Sequence, residues 1–315
     1  MTKTKIASPT MVRSNKKKLN TFKKNIFVYL LMLPSIVLTF IFAYLPMPGI
    51  LVAFQDFNIF AGLWGSPWVG LDNIIRIFEV PLLWGSILNT LNLSLLSIIV
   101  GFPAPIILAL MINEVKDGLY KRTAQTLSYL PHFLSWIAAV GLAYTFFDRH
   151  GPLNNFLVWL YGQDTERILF LSRQELFIPV LLLLNVWKNV GWGAIVYLAA
   201  ITGIDQSLYE AAYIDGANRF KQHIHITLPG IGQTVIIMLI FTLGGLLASN
   251  FELVYGMQNP FIDFEVIDTV VFRSGIQQGD FSIAAAVGFT RGLIAFLLTV
   301  MANKMAKKVA NISIW

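Results

Sequence analysis

Four side chains that could bind a polar ligand stand at helical spacing inside a long apolar run: Asn185, Lys188, Asn189 and Trp192. Their i, i+3, i+4, i+7 spacing places them on one face of a helix. A lysine in the middle of a membrane-length helix costs about 2.5–3.5 kcal/mol on insertion scales, so this face is expected to meet a polar cavity. Amides can hydrogen-bond hydroxyl groups, and an indole can stack on a sugar ring. The face predicts a sugar pathway, unless Lys188 pairs with a partner's carboxylate and the amides join helices.

Three further residues are weaker candidates for the same cavity. Asn250 stands at the end of a later apolar run, where helix termination explains an asparagine equally well. Tyr144 lies at the edge of another apolar run, where aromatic residues are common at the membrane surface. Arg291 falls near the start of the last run, and the sequence leaves open whether it pairs with Asp280 or Glu252 or lines the pathway.

A second motif is the polar stretch between two apolar runs, residues 205–229, which we call the hairpin. Asp205 is expected to cap a short helix that ends at Gly216, and a second short helix then carries Phe220 and Ile224. The apolar side chains would form a ridge, with charged side chains beside it: Glu210, Asp215, Arg219 and Lys221. This pattern predicts a docking surface for another protein.

The spacing of the hairpin resembles the EAA loop of the membrane subunits of ABC importers. Glu210-Ala211-Ala212 precedes Gly216, and Leu228-Pro229 closes the pattern. In that family the loop is a coupling helix that seats in a cleft of the cytoplasmic ATPase, where its glutamate meets a basic residue and its glycine makes the turn. The resemblance implies these residues for coupling to the ATPase: Glu210, Ala211, Ala212, Asp215, Gly216, Arg219, Leu228 and Pro229.

The resemblance covers nearly the whole chain after residue 25. The runs 185–193 and 257–260 are similar to carbohydrate-importer permeases, and the runs 47–54 and 68–71 resemble the branch of LplB and the alginate-oligosaccharide importers. The resemblance implies a type I ABC importer permease fold and the import of oligosaccharides. It also implies a homologous second permease subunit, two ATPase subunits and an extracellular solute-binding lipoprotein as partners.

The same resemblance bears on the candidate pathway. Asn185, Asn189 and Trp192 fall where the maltose-importer subunit of this family has substrate-contacting residues. That subunit carries glycine and tyrosine at the latter two positions, so the chemistry of those contacts differs in this chain.

The composition predicts an all-α membrane protein. Of the 315 residues 56% are hydrophobic and only 13% are charged, whereas a soluble domain carries about 25% charge. Six runs are apolar over roughly the 20 residues that a bilayer crossing needs. They lie near 26–45, 87–112, 126–147, 176–202, 233–250 and 284–303. We expect a tail over residues 1–25 and a six-helix permease domain over residues 26–315.

The distribution of basic residues predicts the orientation in a bacterial plasma membrane. The net charge of +6 comes largely from the tail, which contains these residues: Lys3, Lys5, Arg13, Lys16, Lys17, Lys18, Lys23 and Lys24. The positive-inside rule makes this side cytoplasmic. Six spans then place both termini and the hairpin in the cytoplasm. A basic tail next to an apolar span accounts for the charge, so no nucleic acid partner is expected.

The sequence offers no catalytic constellation. It contains no cysteine and no G-x-x-x-x-G-K-[ST] phosphate loop. His223 and His225 stand two residues apart and would not converge on a metal, so they are interpreted as docking or solvated residues. We therefore expect a transport subunit, not an enzyme, with no metal or cofactor of its own, while ATP and Mg²⁺ would belong to the partner ATPase.

Two other functions stay open at this point. One is an ABC importer permease for a non-sugar solute, such as a peptide or an amino acid. The other is an ion-coupled secondary transporter, which would hold carboxylates on unwound helices near the bilayer midplane.

Overall fold

The computed structural model describes residues 25–310, and the basic tail predicted for residues 1–25 lies almost wholly outside them. The described chain is helical apart from loops and one isolated bridge between Gln55 and Trp68. In chain order the helices are α1 (Ile26–Phe54), α2 (Gly62–Gly65), α3 (Asp72–Glu79), α4 (Pro81–Glu114), α5 (Leu119–Phe133), α6 (Trp136–Phe147), α7 (Pro152–Tyr161), α8 (Gln174–Thr202), α9 (Gln206–Ile214), α10 (Arg219–Gly230), α11 (Gly232–Gly244), α12 (Phe251–Met257), α13 (Ile267–Phe272) and α14 (Phe281–Ala310).

The helices confirm the predicted all-α membrane protein. Among the described residues, α1, α4, α8 and α14 are each long and apolar enough to cross a bilayer. The predicted span 126–147 contains a sharp bend between two helices, and the predicted span 233–250 begins just after a second one. Helix α5 meets the segment Trp136–Tyr161 at 105°, and α10 meets α11 at 62°. The described chain therefore has four continuous spans, or six if each bent pair counts as one.

The chain separates after Leu51 into two compact units. The first unit contains most of α1. The second begins at Val52 and contains every other helix. All the sites described below lie within this second unit.

Helix α4 shows how the membrane segment accommodates its prolines. Pro103 and Pro105 predict a local disturbance, because a proline inside a helix lacks an N–H and clashes with the preceding turn. The structure places a π turn over Ser97–Gly101, and the α-helix resumes with Pro103 in its first turn. Pro103 thus stands where the hydrogen-bonding register changes from π to α, the kind of position at which a long helix bends.

Helix α8 packs at very short range against its neighbours. A Cβ atom built on Gly191 would lie 1.9 Å from the carbonyl oxygen of Ser128, and one on Gly193 would lie 2.9 Å from Cγ of Pro105. Only glycine fits at Gly191, because α5 presents its backbone there. Toward the hairpin, α8 and α4 share an apolar cluster that contains Ala109, Ala194 and Tyr197. This packing fixes the rotation of α8 and hence the direction of its polar face.

Candidate substrate pathway and coupling hairpin

A cavity of about 570 Å³ lies between α4, α8, α11 and the segment that follows α11. Its lining is mainly apolar, and it contains these residues with polar side-chain groups: Ser94, Ser97, Asn185, Asn189, Trp192, Tyr197, Thr242, Ser249 and Asn250. Four predicted pathway residues are therefore brought together, namely Asn185, Asn189, Trp192 and Asn250. Lys188 and Tyr144 are not part of this lining.

The two asparagines on α8 form a hydrogen-bonded ladder. Nδ2 of Asn189 donates to Oδ1 of Asn185 at 2.6 Å, and Oδ1 of Asn189 lies 3.3 Å from Nδ1 of His132. In the described part of the chain, no acceptor binds the amide nitrogen of Asn185. Its N–H groups are therefore available to a ligand hydroxyl, and the ladder holds them in place.

Trp192 is held by a residue that the sequence interpretation did not single out. The imidazole of His132 lies nearly parallel to the indole, with 4.6 Å between ring centroids and 3° between planes. Phe133 contacts the indole edge-on at 6.0 Å. The indole remains 49% exposed and lines the cavity. No sequence spacing relates His132 to Trp192, since they belong to different helices.

Lys188 is buried, with 5% of its surface exposed, but it lies away from the cavity lining. Its Nζ donates to the carbonyl oxygen of His132 at 2.8 Å and stands 5.0 Å from the ring of Trp136. His132 lies where α5 ends and the chain turns into α6, and carbonyls at a helix end lack intrahelical partners. Lys188 lies outside the predicted cavity face because it turns toward this helix end, where a carbonyl accepts from its ammonium group and an indole lies beside it.

The segment between α11 and α12 forms the far wall of the cavity. Helix α11 ends at Gly244, and residues 245–250 are not helical. Asn250 both lines the cavity and caps α12, since its Oδ1 accepts from the N–H of Leu253 at 3.1 Å. Asn250 therefore both marks a helix end and lines the cavity, so the two interpretations are compatible. Tyr144 on α6 is 38% exposed and outside this wall.

Arg291 has a partner that the sequence did not indicate. It pairs with Asp268, whereas the sequence had left open Asp280, Glu252 or a place in the pathway lining. Asp280 instead caps α14, accepting from the N–H of Ile283 at 3.0 Å. Asp268 was not among the alternatives, because only folding brings α13 beside α14 and places its carboxylate next to Arg291.

The local fold of the hairpin agrees with its sequence. Asp205 caps α9 by accepting from the N–H of Ser207 at 3.0 Å, and this bond holds the pKa of Asp205 below its usual value. Gly216 has a φ of 75°, and the N–H of Ala217 donates to the carbonyl of Ala212 at 2.9 Å. This is the Schellman arrangement, in which a left-handed residue ends the helix.

The outer surface of the hairpin is apolar and unpartnered in the described chain. Helix α9 has no buried residue. Tyr213, Ile214 and Phe220 are 79%, 84% and 71% exposed. Of the predicted coupling residues, Ala212 is half-buried. The others are exposed: Glu210, Ala211, Asp215, Gly216, Arg219, Leu228 and Pro229. The inner side is fixed by the hydroxyl of Tyr209, 2.9 Å from that of buried Thr227.

Glu114, at the end of α4, ties the hairpin to the cavity helices. Its carboxylate lies 3.2 Å from Nε2 of His223 and 3.7 Å from Nε of Arg219. The His223 side chain is only 18% exposed, so the expectation of a docking or solvated residue was wrong. His225 is exposed, with Nδ1 3.0 Å from the carbonyl of Lys221. Because α4 also lines the cavity through Ser94 and Ser97, Glu114 joins the two sites.

A multi-span helical protein with an internal cavity that carries amide and hydroxyl groups, and with an exposed apolar hairpin, belongs to the class of transport permeases. The chain is a member of the family described as binding-protein-dependent transport system inner membrane component, whose profile matches residues 101–311. Membership confirms the resemblance seen in the hairpin. The chain is thus an inner-membrane subunit of a binding-protein-dependent transport system and not an enzyme.

Curated relatives match over almost the full chain. The polygalacturonan/rhamnogalacturonan transport system permease protein YteP of Bacillus subtilis (strain 168) is 42% identical over 92% of this chain and 90% of its own length. Protein LplB of the same organism is 42% identical over 91% of this chain and 90% of its own length. These matches confirm the branch that the sequence resemblance indicated.

Solved structures share the fold. A chain from the crystal structure of a bacterial ABC transporter involved in import of the acidic polysaccharide alginate matches with a TM-score of 0.83 and 37% identity, covering 93% of this chain and 99% of that one. A chain of the alginate transporter in complex with an alginate pentasaccharide-bound periplasmic protein matches with a TM-score of 0.84 and 36% identity, covering 94% and 99%. The type I ABC permease fold predicted from the resemblance is thereby confirmed.

Proposed function

We propose that this chain forms one membrane-embedded half of an ATP-driven importer of oligosaccharides. The observation that carries the proposal is a mainly apolar cavity whose few polar groups are amides and hydroxyls beside one half-exposed indole, a combination that suits a sugar ligand. No charged side chain of the described residues lines this cavity. This disfavours an ion-coupled transporter, which would need carboxylates there.

The relatives support the same ligand class. Polygalacturonan, rhamnogalacturonan and alginate, which appear in their names, are all polysaccharides. A single permease encloses only one side of a translocation pathway, so the homologous second subunit completes the cavity. Asn185, Asn189, Trp192 and Asn250 are this chain's contribution to ligand contact.

The hairpin is the part of the chain that receives force from the ATPase. Its exposed apolar ridge docks into one of two ATPase subunits, and Glu210 meets a basic residue beside it. ATP and Mg²⁺ are held by those ATPase subunits. The hairpin end of the bundle and both termini are therefore cytoplasmic in a bacterial plasma membrane, and a solute-binding lipoprotein delivers cargo to the opposite face.

The transport cycle follows from these positions. Closure of the ATPase pair moves the hairpin, and the movement reaches the cavity through α8, which runs directly into the hairpin, and through α4, which Glu114 ties to it. The two permease halves then rock about the ligand site and open it alternately to either side.

The experiment is reconstitution of the complete importer in proteoliposomes with its binding protein. We expect ATP-dependent uptake of a labelled oligogalacturonide or alginate oligosaccharide. Uptake of amino acids or peptides alone, or uptake driven by an ion gradient without the ATPase, would overturn the proposal. Glu210→Ala should abolish most of the uptake while the complex still assembles, and Gln206→Ala, an exposed change in the same helix, should not.

A further inference from the structure

The carboxylate of Asp268 joins three elements at the end of the cavity away from the hairpin. It accepts from the N–H of Ser249 at 3.1 Å and from its hydroxyl at 2.6 Å, and it pairs with Arg291 of α14. The Asp268 and Arg291 side chains are only 18% and 29% exposed. Ionised groups at such positions in membrane proteins are costly and persist where they are paired and serve a purpose.

The segment that Asp268 holds is irregular backbone inside a predicted span. Residues 245–250 interrupt the helical path between α11 and α12, and five of them line the cavity. In the described chain no donor pairs with the carbonyl groups of Leu246 or Ala248. Irregular backbone at membrane depth is tolerated where it is buried in protein or lines a polar cavity. The N–H groups of Gly245, Leu246 and Ala248 keep backbone acceptors, but that of Ser249 has none among the described residues, so this end of the segment needs a side-chain tether.

Among the described residues, the carboxylate of Asp268 accepts the side-chain hydrogen bonds that connect residues 245–250 to another helix, α13. The other side-chain bond here, from Asn250 to Leu253, is local to the start of α12. Both hydrogen bonds to Asp268 end on Ser249, which is itself in the cavity lining and precedes Asn250. The placement of Ser249 and Asn250 against a ligand therefore depends on a residue that does not line the cavity.

We infer that Asp268, fixed by Arg291, is a positioning residue that sets the hydrogen-bonding pattern of residues 245–250 toward the transported ligand. This inference rests on the proposed function, because the ligand it concerns is an oligosaccharide with hydroxyl groups. Asp268 acts on the ligand through Ser249 and Asn250. Its loss should therefore change which hydroxyl groups the pathway discriminates, and not merely how much protein assembles.

The test compares two probes in the reconstituted complete importer. One is a labelled oligogalacturonide, and the other is its analogue lacking one hydroxyl group. The measured quantity is the ATP-dependent uptake rate of the complete oligogalacturonide divided by that of the analogue. Asp268→Asn removes the charge pair, and Ser249→Ala removes only the hydroxyl bond while the pair remains. Asp280→Asn is the matched control, since it makes the same change in a residue that caps α14 outside the cavity.

Analogues that lack different single hydroxyl groups are compared in turn. For at least one of them, the wild-type importer should take up the complete oligogalacturonide faster than the analogue. We expect Asp268→Asn to lower that ratio about fivefold and Ser249→Ala to lower it in the same direction, as loss of one or two hydrogen bonds predicts. Asp280→Asn should leave it unchanged. Equal loss of uptake for both probes, with an unaltered ratio, would overturn the inference. If Asp268→Asn fails to assemble, an unaltered ratio in Ser249→Ala overturns it. Failure of the proposed function would show separately, as absence of oligosaccharide uptake by the wild type.

Discussion

The imidazole of His132 covers one face of the Trp192 indole, with 4.6 Å between ring centroids and planes 3° from parallel. The stack joins the end of α5 to the polar face of α8 and holds the indole in one orientation in the cavity wall. Replacing Trp192 with alanine should therefore lower oligosaccharide uptake about fivefold or more, because a stacking partner for the ligand is lost. Uptake by reconstituted complexes measures this directly.

The chain supplies a matched control for this change. Trp187 lies on the same helix and is 39% exposed, but it does not line the cavity. Trp187→Ala should leave uptake near the wild-type rate, and Trp192→Phe should retain much of it. Normal uptake by Trp192→Ala at normal complex abundance would show that the ligand does not depend on contact with this indole.

Replacing Lys188 with methionine should destabilise the protein without changing which ligands it carries. The substitution leaves the carbonyl of His132 without its 2.8 Å donor in a buried place, which costs about 1–3 kcal/mol. The expected result is a lower thermal inactivation temperature of the purified complex, with relative uptake rates for different oligosaccharides unchanged. Lys116→Met, the same change at an exposed lysine, should have no effect on stability. Altered ligand preference at unchanged stability would place Lys188 in the pathway after all.

Local features of the sequence predicted local structure well. Asp205 and Gly216 act through residues two to five positions away, so cap and turn could be inferred from type and spacing. The shared face of Asn185, Asn189 and Trp192 followed from helical periodicity, and the cavity includes all three. The four uninterrupted spans likewise followed from length and apolar composition.

Partners brought together by folding could not be inferred in this way. Lys188 meets a carbonyl from α5, Arg291 meets Asp268, and Glu114 meets His223, although each pair is far apart in sequence. The bend within 126–147 and the non-helical residues 245–250 within 233–250 were also missed. Their hydropathy is continuous, and the groups that stabilise the irregular backbone come from other helices.

Replacing Gly216 with alanine should weaken coupling between ATP hydrolysis and uptake. Its φ of 75° lies in the left-handed region, where an L side chain costs about 1 kcal/mol or more. The end of α9 would then shift together with the exposed ridge. We expect fewer molecules imported per ATP hydrolysed by the complete complex. Gly232→Ala is the control, because its φ is ordinary and nothing lies within 4 Å of the added Cβ. If both variants import the same number of molecules per ATP hydrolysed, the conformation of the turn at Gly216 is not needed for coupling.

Replacing Glu114 with glutamine should loosen the connection between the hairpin and α4. The carboxylate lies 3.2 Å from Nε2 of His223 and 3.7 Å from Nε of Arg219, and its side chain is 34% exposed. Partly exposed ion pairs contribute about 1 kcal/mol or less, so the complex should assemble normally. Movement of the hairpin would be transmitted less completely to Ser94 and Ser97 in the cavity wall.

The measurement for Glu114→Gln is uptake relative to ATP hydrolysis in proteoliposomes, where we expect hydrolysis to continue while uptake falls about threefold. Asp117→Asn provides the matched control, because Asp117 is a nearby acidic residue whose pair with Lys121, at 2.8 Å, does not involve the hairpin. A parallel fall in hydrolysis and uptake would indicate impaired ATPase docking instead of lost transmission. Full uptake by Glu114→Gln would show that α8 alone carries the movement, since α8 runs directly into the hairpin.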